Sequence, residues 1–355
     1  MPQAYLNAVA TAIPDQDVHA PFINWARGHI TDPRMAKLFD RMAARSGIAH
    51  RWSVLEPAPC GGPPNQPGGF YEGGTMPGTA ERMAQYAARA PELGLKAIAK
   101  LREQISLDDI THIVVASCTG FVAPGIDQII ARRLGLSPSV ERLLIGFMGC
   151  YAAVTALRSA RHIVRSEPEA RVLVLCIELS SLHLAETDEI EPLLAMLQFG
   201  DGAAAALVTA EASGFALGQP FATTLPDSHE LIRWTITDKG FAMHLSGEVP
   251  QRIAGGLANA DFAHAVTGGR APESIDSWAV HAGGRSILDA VENAFALPQG
   301  ALADSRGVLN DCGNMSSATL MFVLARMLER GGVENGVALA FGPGLAAEGL
   351  GFRSA

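Results

Sequence analysis

The sequence predicts a layered α/β protein built from two similar halves, and three observations carry that expectation. Four short, continuous apolar runs end in glycine or other small residues, as strands covered on both faces do. Amphipathic helical patterns lie between them. Both halves also contain buried strands associated with glycine-rich turns, FGDGAAAALV (199–208) and GVALAFGPG (336–344). A chain of 355 residues has room for two such units at about 150 residues each. The halves are expected at 1–212 and 213–355, joined through a loop at 211–229 that contains Gly214, Gly218, Pro220 and Pro226.

Each element has a local reason. Residues 56–78, EPAPCGGPPNQPGGFYEGGTMPG, read as a loop because glycine and proline interrupt regular structure. HIVVASC (112–118) is the first buried strand, and LLIG (143–146) reads as another that runs into a turn. The following segment, CYAAVTALRSARHIVRS, sets Ala153, Leu157, Ala160 and Val164 along one helix face. Arg158, Arg161, His162 and Arg165 fall on the other side, as a solvated basic stripe. RVLVLCIE (171–178), SWAVHAGG (277–284) and GVALAFGPG (336–344) complete the strands.

Composition narrows the function. Apolar residues make up 48% and charged residues only 18%, against about 25% charged in ordinary domains. Disorder is excluded, and a large core or a buried interface is implied. With 27 basic against 36 acidic residues, a net charge of −9, the chain is poorly suited to nucleic acid. No apolar run approaches the ~20 residues that span a bilayer. No basic-then-apolar leader opens the sequence, so a cytoplasmic protein is expected. Five cysteines, widely spaced and without a CxxC pair, fit a reducing compartment rather than a disulfide framework or a metal site.

The chemistry is concentrated in three segments. In LLIGFMGCYAAV (143–154), glycines allow a tight strand-to-helix turn that leaves Cys150 near a helix N-terminus, where thiolate is favoured. A small buried hydrophobe would read the same way, so both roles stay open at this point. His281 stands at the end of a buried strand before Gly283 and Gly284, whereas His112 and His162 look structural or solvent-facing. Asn314, in NDCGNMSSAT, is either a turn residue or a non-titrating donor suited to an oxyanion.

Taken together, GFMGCYAAV, FGDGAAAALV, WAVHAGGRSIL, GNMSSAT and AFGPGL resemble the type III polyketide synthases, the chalcone-synthase-like branch of the thiolase superfamily, over nearly the whole chain. The resemblance implies a five-layered α-β-α-β-α thiolase fold and a homodimer. It also implies iterative decarboxylative condensation of malonyl-CoA onto a starter acyl-CoA, with cyclisation to a pyrone, resorcinol or phloroglucinol type of product. Neither a carrier protein nor a cofactor beyond the coenzyme A thioesters is implied. Cys150 would carry the acyl chain, while His281 and Asn314 would hold the malonyl carbonyl and the enolate formed from it.

Other positions follow from the same resemblance. Phe199 matches a gatekeeper phenylalanine, and Met243 stands where a second one is usual. Cys118, Thr119, His183 and Ser316 match cavity-lining positions, with Cys118 and His183 replacing threonines. Trp234 is a further candidate for tuning the cavity. Ala123 replaces a methionine that reaches into the partner subunit in plant members. Ala340 replaces the first glycine of the GFGPG loop, leaving Phe341, Gly342, Pro343 and Gly344. Arg45 and Arg51 are candidates for the CoA phosphates. The cavity departures favour an aliphatic starter over an aromatic one. Two rivals remain: a carrier-protein-dependent priming ketosynthase, whose histidine sits in an HQAN-like segment rather than HAGG, and a non-catalytic or redox thiol protein on the same fold.

Overall fold

A computed structural model describes residues 2–72 and 76–355. Residues 73–75 of the Gly/Pro-rich loop lie outside the described residues. The first half runs β1 (Tyr5–Ala12), β2 (Gln16–Asp17), α1 (His19–His29), α2 (Pro33–Ala44) and β3 (Trp52–Ser53). It continues through α3 (Thr79–Gln104), β4 (His112–Ser117), α4 (Ile126–Leu134), β5 (Glu141–Gly146) and α5 (Ala152–Ser166). Then come β6 (Val172–Leu179), α6 (Ile190–Met196) and β7 (Asp201–Thr209). The second half opens with β8 (Phe215–Thr224) and the hairpin β9 (Ile232–Thr237) and β10 (Gly240–Leu245). It proceeds through α7 (Val249–Leu257), α8 (Ala260–Thr267), β11 (Ser277–Val280), α9 (Arg285–Ala294) and α10 (Ala303–Cys312). The last elements are α11 (Ser317–Arg330), β12 (Gly336–Gly342) and β13 (Ala346–Ser354).

Nine strands hydrogen-bond in the order β11-β12-β13-β8-β1-β7-β6-β4-β5. The halves join at β1 and β8, which share only the pairs Tyr5–Ala216 and Leu6–Phe215. The period-2 alternation of the strands then reveals the layers. In β4, Ile113 and Val115 pack with α3 and α4, whereas Val114 and Ala116 face α5 and α11. In β12, Ala338 and Ala340 join that same α5–α11 core, while Val337, Leu339 and Phe341 face α7, α8 and α9. Strands of both halves therefore cover the α5–α11 pair, and the order is α-β-α-β-α. This is the five-layered arrangement expected of the thiolase fold.

Several expectations need correction. Residues 211–229 are not chiefly a loop, because β8 occupies 215–224. Pro220 is tolerated because β1 has left β8 by that point, so no ladder bond is lost. The strand before Cys150 is an edge strand, not a buried one: Leu143 and Leu144 are 41% and 43% exposed. The basic stripe of α5 is only partly solvated, since Arg161 is buried and donates to the Leu217 carbonyl. Arg158 ion-pairs with the largely buried Glu348. His112 is buried, as the structural of its two expected roles requires.

The predicted face of α5, including Leu157, is fully buried between the two sheets. Leu157→Ala should therefore lower stability by about 2–5 kcal/mol. Chemical denaturation reads this directly, and a loss below about 1 kcal/mol would contradict the packing.

Candidate active site

The α5 and α11 helices of the middle layer begin beside one another, and the reactive residues stand at their heads. Cys150 lies two residues before α5, and Asn314 three residues before α11. The turn before Cys150 is tightly specified. Gly149 has φ +81°, and a Cβ there would sit 2.4 Å from Pro343 Cδ. A Cβ on Gly342 would meet the Tyr151 ring at 2.6 Å. The C-terminal FGPG segment thus packs directly on the nucleophile turn through Gly342 and Pro343. Phe341 instead packs in the outer core, and Gly344 supplies a positive φ of 72°.

Asn314 is fixed at every polar atom but one. Its backbone N–H donates to Gln198 O at 2.8 Å, and its carbonyl accepts from Gly200 N at 3.0 Å. This forms a parallel bridge to Phe199. Its Oδ1 accepts from Ser316 N at 2.8 Å, which orients the amide, and Nδ2 donates to Gly283 O at 3.2 Å. The remaining Nδ2–H is held by no backbone group and lies within reach of the Cys150 thiol. His281 follows β11, with its backbone N–H bonded to Leu339 O at 2.8 Å. Its ring is 1% exposed, yet neither Nδ1 nor Nε2 has a partner. Buried polar atoms are nearly always paired, so both ring nitrogens are available to hydrogen-bond a reactant. The ring edge lies beside Gly283, whose carbonyl Asn314 binds. Ser316 and Asn314 in turn lie within hydrogen-bonding reach of the Cys150 thiol.

The site is buried, and burial disfavours charge on its thiol and its imidazole. Burial pushes the Cys150 thiol up to about 12, against the opposing pull of Ser316 and Asn314. Burial alone holds His281 down at about 3. Burial thus works against the thiolate that a cysteine at a helix head otherwise favours. Passing the proton from thiol to imidazole creates both charges at once and leaves the cavity's net charge unchanged.

The flanking network includes a residue that the sequence reading missed. Glu178 is fully buried at the end of β6 and accepts from Cys118 N at 3.0 Å, Thr119 Oγ1 at 2.9 Å, and Ser317 Oγ. Burial raises its pKa against those hydrogen bonds. The Cys118 thiol donates to Glu178 at 3.3 Å and lies 3.1 Å from Ser316 Oγ. The signal for Glu178 was a carboxylate ending an otherwise apolar strand.

Beyond this network lies a mostly apolar cavity of about 280 Å³. Phe199, His183, Trp234 and Met243 line it, as does Phe241. Cys118, Thr119 and Ser316 belong instead to the buried network next to Cys150. His183 donates from Nε2 to Thr119 O at 2.7 Å and accepts Phe241 N at Nδ1 at 3.0 Å. It stacks on Phe241 at 4.2 Å and meets Trp234 edge-on. Trp234 Nε1 donates to Cys118 O at 3.0 Å. The two arginines behave differently. Arg45 is exposed at the end of α2. Arg51 is 3% exposed, with Nη1 bound to two protein carbonyls and Nη2 buried without a partner, so it does not face solvent where a CoA phosphate would sit. Among the described residues no cluster has the make-up of a metal site.

If the proton transfer operates, Cys150 alkylation by iodoacetamide at neutral pH should depend on His281. In His281→Gln the rate at pH 7 should fall and then climb about tenfold per pH unit toward pH 10, as expected for a raised thiol pKa. Identical profiles for the two proteins would contradict the transfer.

Comparison with known proteins matches residues 2–212 to the N-terminal domain of the chalcone and stilbene synthases, and residues 217–355 to their C-terminal domain. The alpha-pyrone synthesis polyketide synthase-like Pks18 of Mycobacterium tuberculosis is 35% identical over 253 residues, covering 68% of this chain. The aligned region spans 64% of the length of that relative. Type III polyketide synthase A of Arabidopsis thaliana is 36% identical over 265 residues, 70% of this chain and 67% of that one. The crystal structure of PKS-I from the brown alga Ectocarpus siliculosus superposes with a TM-score of 0.89 at 29% identity, covering 100% of this chain and 99% of the other.

Proposed function

The chain belongs to the chalcone and stilbene synthase family, and on that premise we propose that it is a type III polyketide synthase, a condensing acyltransferase acting on coenzyme A thioesters. The Cys150 thiol passes its proton to His281 and attacks the starter thioester carbonyl. The C–S bond to coenzyme A breaks, and coenzyme A leaves as its thiol with the proton from His281. Malonyl-CoA then loses CO₂, and the electron pair of the broken C–C bond moves onto the thioester oxygen. His281, through a neutral N–H, and the second Nδ2–H of Asn314 hold that oxyanion. The enolate carbon attacks the acyl group on Cys150, releasing the thiolate and lengthening the chain by two carbons. Repetition and ring closure give a pyrone, resorcinol or phloroglucinol type of product. Decarboxylation itself supplies the carbanion, so the cycle needs no cofactor beyond its thioester substrates.

The observation that carries this reading is the pair of unpartnered nitrogens on buried His281, next to an Asn314 amide whose second N–H faces the Cys150 thiol. The apolar cavity beyond Phe199 suits an aliphatic starter. We read the enzyme as a cytoplasmic homodimer that takes free CoA thioesters without a carrier protein. The open edge of β5, with exposed Leu143 and Leu144 near exposed Phe121, supports the dimer. Five free cysteines suit a reducing compartment.

Purified protein incubated with malonyl-CoA and a panel of acyl-CoA starters should release CO₂ and form cyclised products, and Cys150→Ala should form none. His281→Ala and Asn314→Ala should each slow malonyl-CoA decarboxylation by about 10²–10³-fold. Product from the alanine variant of Cys150, or unchanged decarboxylation in the other two, would overturn the assignment. Trp234→Gly should alter the product profile, since Trp234 walls the cavity; an unchanged profile would remove it from that role.

A further inference from the structure

Arg51, expected to meet a CoA phosphate, is instead a buried cation held almost entirely by uncharged partners. Its Nη1 donates to Met196 O at 2.9 Å, at the C-terminal end of α6, and to Phe199 O at 2.7 Å, three residues beyond it, while Nη2 is buried without a partner. Its Nε donates to His19 Nδ1 at 2.9 Å, and the guanidinium lies 4.6 Å over the Phe22 ring. Asp17 contacts only its backbone N–H, at 3.3 Å. Asp201 is engaged by Val54 N and by Ser181. Burying a guanidinium without an ion-pair partner is expensive. Burial duly lowers its pKa to about 9. What the side chain secures is the backbone around Phe199.

That backbone also holds Asn314. Gln198 O accepts Asn314 N, and Gly200 N donates to Asn314 O, so the residues on either side of Phe199 grip the proposed oxyanion donor. The aliphatic stem of Arg51 fills the space next to both strands of this bridge. A Cβ on Gly313 would sit 2.8 Å from Arg51 Cγ, and one on Gly200 would sit 3.5 Å from Arg51 Cβ. Phe199 O and Gly200 N belong to the same planar peptide unit. Arg51 and Asn314 are therefore linked through a single fixed segment.

We propose that Arg51 is a positioning residue of the condensing site, fixing the Phe199–Asn314 bridge so that the Asn314 amide stays aimed at the malonyl thioester oxygen. The proposal rests on the role given to Asn314 above. It assigns Arg51 an effect on the chemical step and none on coenzyme A binding.

Steady-state malonyl-CoA decarboxylation by Arg51→Lys, Asn314→Ala and the double variant tests it. Arg51→Lys keeps the charge but cannot reproduce the planar group that donates to both carbonyls through Nη1 while donating to His19 through Nε. Its kcat should fall between about tenfold and a hundredfold, the scale of a misplaced catalytic group, while KM for malonyl-CoA stays within about twofold. The double variant should be no slower than Asn314→Ala alone, because both changes remove one interaction. A rise in KM with kcat kept would restore the phosphate role and overturn the proposal, and additive losses would show a merely structural arginine. If Asn314→Ala is impaired and Arg51→Lys is not, the proposal alone falls; if Asn314→Ala keeps the native rate, the reading of the site falls with it. His19→Phe, which removes only the acceptor of Nε, supplies a milder variant should Arg51→Lys not fold. It should lower kcat several-fold at unchanged KM, and a native kcat would overturn the proposal.

Discussion

Desolvation at the seam between the two halves is the constraint on which the rest of the structure depends. Cys150 comes from the first half, and His281 and Asn314 come from the second. They meet where the two middle-layer helices, α5 and α11, begin. Both helices direct their positive ends toward that point, which favours a thiolate or enolate there. Because the site is buried, each polar atom must be paired or available to a reactant. The dense bonding of Asn314 and the orphan ring of His281 are the two sides of that requirement.

The same constraint explains the surroundings. Ser317 starts α11 and binds Glu178, which in turn holds the backbone N–H and thiol of Cys118 and the hydroxyl of Thr119. Trp234 and His183 are tethered to the carbonyls of those two residues. The cavity wall is therefore tied by hydrogen bonds to the network beside the nucleophile. A change at His183 or Trp234 reshapes the space for the growing chain without touching Cys150.

Much of this was legible in the sequence. The strands at 112–117, 172–179 and 336–342 are written as apolar runs, and the glycine before Cys150 is required by both a positive φ and the approach of Pro343. Other features were hidden for physical reasons. Gly218 and Pro220 read as loop residues, but Gly218 lies against Gly351 at an irregular stretch of the β8–β13 pairing, and Pro220 has no β1 partner. Leu143 and Leu144 look like core residues, because an apolar residue at an open sheet edge has no signature of its own. Arg51 adjoins exposed His50, and nothing in its local sequence separates a buried guanidinium from a surface one.

The central claim is that Cys150 carries the acyl chain, and trapping that intermediate tests it most directly. After incubation with a starter acyl-CoA and no malonyl-CoA, mass spectrometry of the intact protein should show one added acyl group, and peptide mapping should place it on Cys150. No mass increase, or an acyl group borne by Cys118 in its place, would contradict the account.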